Sequence, residues 1–345
     1  DRYQWKTYAP LAQMPSLEGG PEARFAHGNS LIWDPARAPF PFHIDPAPSY
    51  RLDRINERLA ATPKHDLASF GRIQADVHLH RARRIVPLLL SDLAALPDLT
   101  APERAARDAL RAWDHEATAD SLATTIFFET YREAGLAAFA DEIAGTGREF
   151  VLAQRYSTQM MDQWFDDPAH PVWGDRRTPA RETRSAVVRA AFRRAVAKLG
   201  RTLGADVTGW RWGRVHTLEH RHVMGGKKAL ASLVNLPPVG SPGALDSVWK
   251  AHFDLGDTVA PWRSMAGPCF RMVVDLASPG SGQWLLETGA SGWPRSPHYG
   301  DQRARWLTDL AASLLEEAAT NRLQVAELQI DFDCAELKLD GYRVW

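Results

Sequence analysis

The stretch Trp212-Gly-Arg-Val-His-Thr-Leu-Glu-His-Arg-His222 decides the fold, because it admits two readings with different consequences. His216-Thr-Leu-Glu-His220 fits H-x-x-E-H, the inverted form of a zinc-peptidase signature. Zinc chemistry would need His216 and His220 one helical turn apart. Glu219 would polarise the metal-bound water, and a third ligand would come from downstream, for which Glu287 is available. The surroundings are unfavourable to a helix. Trp212-Gly213 precedes the pattern, Gly225-Gly226 follows it, and Val215 and Thr217 are β-branched residues at home in a strand. On the other reading, these histidines fill a hydrogen-bonded loop lined by tryptophan.

Downstream of Asp206 the texture is that of loops. Gly and Pro are dense at Pro237-Pro-Val-Gly-Ser-Pro-Gly243 and Gly289-Ala-Ser-Gly-Trp-Pro294. Phe270-Arg-Met-Val-Val-Asp-Leu276 and Gln283-Trp-Leu-Leu-Glu287 are strand candidates between them. A last helix is expected from about Asp301 to Ala319, followed by alternating stretches at 325–330 and 335–339. The thirteen tryptophans, among them Trp33, Trp210, Trp212, Trp262 and Trp293 beside or close to Gly, Pro or Arg, predict large loops packed down by indoles.

Upstream, residues 51–200 read as helices. Leu52, Ile55 and Leu59 recur at helical spacing over 51–60. A second helix is expected from Asp66 through Ile73, Val77 and Leu79, and a third opened by Pro87. A fourth has Thr100 as N-cap, with Pro102 in its first turn and Glu103 three residues on. Further helices are expected over 117–138, 139–157 and 183–199. Residues 1–50 hold eight prolines. Ala23-Arg-Phe-Ala-His27 alternates like a short strand, and the Pro-rich run 35–48 suits neither a helix interior nor a central strand. The fold class is therefore α+β, with three regions: 1–50 strand and loop, 51–200 helical, and 201–345 mixed β and loop with a C-terminal helix.

Composition excludes several classes. With 45% hydrophobic and 24% charged residues, the 345-residue chain is ordinary globular sequence rather than a disordered one. Forty-one basic against 42 acidic residues give a formal charge of -1, which argues against a nucleic-acid partner. The longest apolar run, Ile85-Val-Pro-Leu-Leu-Leu90, is too short to span a bilayer, so no membrane partner is expected. Cys269 and Cys334 allow one bridge or none. G-x-S-x-G and phosphate-loop patterns are absent. Arg181, Arg184, Arg193 and Arg194 read as a solvated helix face.

Several segments, in order, resemble the penicillin acylase family of N-terminal-nucleophile amidohydrolases. They are Ala26-His-Gly-Asn-Ser30, Tyr50-Arg-Leu-Asp-Arg-Ile55, Ile73-Gln-Ala-Asp76, Trp113-Asp-His115 with Ala119-Asp-Ser121, and Trp212-Gly-Arg-Val-His216. Gly267-Pro-Cys-Phe-Arg-Met-Val-Val-Asp275 and Ser291-Gly-Trp-Pro-Arg-Ser-Pro-His-Tyr-Gly-Asp-Gln302 are the most specific. The resemblance covers about residues 10 to 310 and weakens after Trp306. It explains the histidine cluster without zinc.

The resemblance implies part of an αββα sandwich with a large helical insertion, residues 1–50 completing its core. It implies hydrolysis of an acyl amide, such as a β-lactam side chain or an acyl-homoserine lactone, by an N-terminal Ser made by self-cleavage of a precursor. Asn29 matches the Asn whose amide forms part of the oxyanion hole, and Arg51 the Arg that holds that Asn and the region of the nucleophile's amine. No residue of this chain matches the nucleophile. The chain opens Asp1-Arg2-Tyr3 without Met, so the expectation is a start that was processed or cut. The implied partners are the upstream portion of the same precursor and a small acyl-amide substrate; the implied location is periplasmic or secreted. No cofactor is implied as required. Calcium, which family members bind through an Asp in the loop after that Asn, meets Ala38-Pro-Phe-Pro41 here, with Asp34 and Asp45 nearby. The competing expectations are a non-catalytic fragment or scaffold and the zinc peptidase.

Overall fold

The computed structural model describes residues 7–308 together with Ala312 and Ser313, leaving out 15, 17–18, 21–22, 32–33, 35, 37, 39, 41–45, 144–146, 148–154, 180 and 265. The helices come first. α1 spans Tyr50–Ala61 and α2 Leu67–Gln74. α2 is opened by a capping box in which Asp66 accepts the Ser69 amide and Ser69 accepts the Asp66 amide. It ends at Gln74 rather than running on to Leu79. Past that point the backbone is used sideways: Val77 O accepts from Ala117 N, and Leu79 N donates to His115 O.

α3, His80–Ala94, contains Pro87 instead of starting there. A helix-interior proline removes one backbone bond and costs about 3 kcal/mol or more. Ala82, Ile85, Val86, Leu89 and Leu93 form a fully buried face that offsets the cost, while Pro87 itself lies exposed. α4, Ala101–Ala112, starts with the expected Thr100–Glu103 capping box. α5, Leu122–Ala138, begins five residues later than the expected 117, because Ser121 caps it. α6 spans Arg155–Asp166 and α7 Arg184–Leu203. Most of the expected 139–157 helix lies outside the described residues.

α5 is buried nearly all round, and α7 packs along it through Val188, Ala191, Phe192 and Val196. Arg184 departs from the expected solvated face. It is 7% exposed and donates to Asp92 through Nε at 2.8 Å, because the first turn of α7 meets the buried side of α3.

The rest is short strands and turns. α8, Trp212–Val215, leads into β1, Thr217–Leu218, which pairs antiparallel with β2, Val239–Gly240. α9 is Lys228–Val234. β3, Phe270–Val273, pairs antiparallel with β4, Gln283–Leu286, setting Arg271 opposite Leu285, and β5, Ala312–Ser313, adds to β4. α10, Arg303–Thr308, is shorter than the expected 301–319 helix, since the chain has turned to strand by Ala312. The alternating stretches 325–330 and 335–339, and Cys334, lie outside the described residues; Cys269 is exposed.

Residues 23–27 form no strand and no helix. A strand needs a hydrogen-bonded neighbour, and among the described residues none runs beside this segment. The class is α+β, helices first and the small sheets after. No helix is long and apolar enough to cross a membrane among the described residues.

Candidate active site

Asn29 and Arg51 meet. Arg51 sits in the first turn of α1, and its Nη2 donates to Asn29 Oδ1 at 2.8 Å and to Gly28 O at 2.6 Å. A guanidinium only donates, so the atom facing it is the amide oxygen. That fixes the Asn29 Nδ2 group as the outward donor. Asn29 is exposed and adopts φ +59, a left-handed conformation Asn tolerates better than most residues. Its carbonyl accepts from Ala47 N at 2.8 Å, which pins the return of the Pro-rich loop to the same turn. Gly28 is buried against the helix start, where a Cβ would lie 3.2 Å from Leu52 N and 3.3 Å from Arg51 Cβ. The next residue, Ser30, is buried, and its hydroxyl has no partner among the described residues.

α1 is held at both ends of this turn. Tyr50, beside Arg51, donates its hydroxyl to Asp162 at 3.0 Å and accepts from Arg84 at 2.8 Å. Burial, reinforced by Asp162, pushes the Tyr50 phenol up to about 12, so it stays a neutral donor. Asp162 is 3% exposed and is neutralised by Arg81, itself 2% exposed, whose Nε reaches Asp246 at 2.7 Å. Arg81 also donates to Tyr131 at 2.7 Å. One turn on, Arg54 makes a double contact with Asp76, at 2.9 Å from Nε and 2.7 Å from Nη2. Asp76 is fixed in turn by the His78 amide. Buried networks of this kind do not by themselves stabilise a fold much, but they set one geometry.

The quoted segments interlock. Arg54 of the 50–55 segment grips Asp76 of the 73–76 segment. Trp212 N donates to Ser121 O at 3.0 Å and Gly213 N to Ala119 O at 2.7 Å, joining the 212–216 and 119–121 segments. Gly213 fits closely there: a Cβ would sit 3.1 Å from Ala119 Cβ and 3.3 Å from Gly240 Cα. Gln302 ties down the end of β4, accepting the Leu286 amide on its side chain and donating its own amide to Thr288 O just beyond the strand.

The two histidines of H-x-x-E-H do not share a helix face, because the helix ends at Val215 and a strand follows. His216 is fully buried, stacked on Trp212 at 4.6 Å, with Nδ1 2.5 Å from Trp262 O. That carbonyl accepts only, so Nδ1 carries the proton. Burial pushes His216 down to about 4, keeping it neutral. His220 lies instead beside Glu287, 3.6 Å from Nε2 to Oε2. The zinc reading fails on this separation, and the loop lined by Trp212 and Trp262 replaces it. Trp210, Trp212 and Trp262 are buried as expected, whereas Trp293 is 67% exposed.

Near the loop after Asn29, Asp34 Oδ1 accepts the Ala36 amide, closing its own turn, and Asp45 lies outside the described residues. No cluster of three or more metal-binding side chains forms among the described residues. Sequence reasoning missed Tyr50, Arg81, Asp162 and Asp246. Their partners are as many as 165 residues apart, and only the burial of charged residues on otherwise apolar faces could have signalled them.

A family model described as penicillin amidase matches residues 1–317. An acyl-homoserine lactone acylase QuiP from Pseudomonas aeruginosa is 25% identical over 336 residues, covering 89% of this chain and 39% of that protein. A penicillin acylase 2 proenzyme from Pseudomonas sp. strain SE83 is 27% identical over 311 residues, covering 88% of this chain and 38% of that protein. The chain thus spans under two fifths of the length of these curated relatives. A solved thermostable penicillin G acylase from Alcaligenes faecalis aligns with a TM-score of 0.46 and 15% identity, over 83% of this chain and 53% of that one.

Proposed function

Since the chain belongs to the penicillin amidase family, we propose that it is the part of an amidohydrolase that supplies Asn29 and Arg51 to the active site. The observation that carries this is the Arg51–Asn29 hydrogen bond, which turns the amide NH₂ outward as a neutral, fixed donor. A donor held in advance stabilises a developing oxyanion without reorganising, and one such donor is worth about 10²–10³ in rate.

The proposed reaction uses an N-terminal Ser that lies outside these 345 residues. Its hydroxyl attacks the carbonyl carbon of an acyl amide while its own α-amine, through a water, takes the proton. The carbonyl oxygen becomes an oxyanion that accepts from Asn29 Nδ2. The intermediate collapses, the C–N bond breaks, and the amine leaves with the proton returned from the α-ammonium. Water then cleaves the acyl-serine ester to release the acid. The positive charge of Arg51 favours the neutral, basic form of the nearby α-amine.

On this reading the chain forms part of an αββα sandwich carrying the helices as an insertion. It works with the upstream portion of a self-cleaving precursor, in the periplasm or outside the cell. The substrate class is an acyl amide, as the names of the relatives suggest: a β-lactam side chain or an acyl-homoserine lactone. The test is to incubate the complete processed protein with penicillins and acyl-homoserine lactones and measure free amine. Release of amine from either class is the expected result. Correctly processed, folded protein that releases none from any acyl amide would overturn the proposal.

A further inference from the structure

A group of buried hydrogen-bond donors surrounds Trp306, and among the described residues no carboxylate reaches its guanidinium groups. Arg271, on β3, is 4% exposed, and its guanidinium lies 4.6 Å from the Trp249 ring centre and 4.7 Å from that of Trp306. Nη1 donates to Trp306 O at 3.0 Å, whereas Nε and Nη2 are buried with no partner among the described residues. Those two N–H groups share one edge of the guanidinium, the fork that grips a planar oxyanion through two parallel bonds. Trp306 Nε1 and, one turn back on α10, Arg303 Nε are buried and unbonded as well. So are both ring nitrogens of His220, whose ring lies 6.3 Å from that of Trp306. Beside these groups Gln74 Oε1, on a side chain tied to Met272 O, is an unbonded acceptor among the described residues.

The charge is as unbalanced as the hydrogen bonding. Among the described residues no acid lies within ion-pair distance of Arg271 or Arg303. The acid at this corner, Glu287, faces His220 and is one-third exposed. Burial pushes the Arg271 guanidinium down to about 9 and lowers Arg303 too, as expected for cations without counter-ions. An arginine does not in practice lose its proton, so the deficit calls for an anion.

We propose that this cluster is a binding site for a small carboxylate, held in bidentate fashion on the Nε/Nη2 edge of Arg271, whose guanidinium rests against both the Trp249 and Trp306 indoles, with the Trp306 and Arg303 N–H groups on the same corner. The site is independent of the reaction proposed above and stands or falls separately.

The experiment is thermal unfolding of the complete protein in sodium acetate against sodium chloride at equal ionic strength. The midpoint is expected to rise with the logarithm of acetate concentration, by about 2 °C or more over chloride near saturation. Arg271→Met, which keeps an apolar side chain against the indoles, should abolish the difference. Trp306→Phe, which keeps a ring and loses only the N–H, should weaken it. Equal midpoints for the unmodified protein in the two salts would overturn the proposal. If both variants fail to fold, a crystal grown in acetate decides: density for a planar anion on the Arg271 edge supports the site, and water there refutes it.

Discussion

The helical body and the strand-and-loop region after Asp206 are built on opposite principles. In the helices each backbone group finds its partner four residues away, and the ends are closed by local caps such as Thr100 with Glu103 and Asp66 with Ser69. In the later region local turns alternate with remote partners. Trp249 N donates to Asp76 O, Gly213 N to Ala119 O, and Trp262 Nε1 to Glu129 at 3.0 Å. The helical body therefore carries its own instructions, whereas the loops take their shape from the body they lie on.

The Arg81 centre gives the most severe test of that contrast. Arg81→Met removes the cation that bridges Asp162 and Asp246 and leaves two buried carboxylates. We expect a loss of about 3–5 kcal/mol in urea unfolding. A loss under about 1 kcal/mol would mean that the network does not fix α1.

His216 tests the loop side through pH. Its folded value, about 4, lies below the ordinary 6.5 of an unfolded histidine. The unfolded chain therefore takes up a proton first as pH falls. The contribution of neutral His216 is complete above pH 6.5 and is lost between about 6.5 and 4, amounting to about 3 kcal/mol at most. His216→Phe should flatten the acid limb of the stability profile in that window. An unchanged slope would remove His216 from the account.

A smaller effect is expected at the joint between the regions. Gly213→Ala pushes a methyl into Ala119 and Gly240 and should cost about 1–3 kcal/mol. Hydrogen exchange sharpens the result. Faster exchange confined to 212–218 and 239–244 would show the loops loosening from an intact body, and a uniform increase would show that the two regions unfold as one.

The same contrast explains what the sequence disclosed. Helical spacing and capping signals located α1, α4 and α7 to within a few residues, since both are local. Pro87 misled because the buried face of α3 outweighs a lost backbone bond, a balance that shows only once the neighbours are known. Segment 23–27 misled because alternation describes a strand's side chains and says nothing of its partner. Asn29 and Arg51 were reachable only through resemblance: 22 residues apart, with no shared period, they are joined by a turn that rests on Gly28. The clamp of Tyr50, Arg81 and Asp162 beneath them left no pattern at all, because its members come from three helices.

The most direct test of the account is the turnover of the complete processed protein carrying Asn29→Ala, measured on whichever acyl amide it hydrolyses. Asn29 has φ +59 and accepts from Arg51, so the truncation should lower the unfolding midpoint modestly while the protein stays folded. If Asn29 Nδ2 receives the oxyanion, kcat falls by about 10²–10³ while KM stays within a few-fold. A folded variant that keeps kcat within about threefold of the unmodified protein would contradict it.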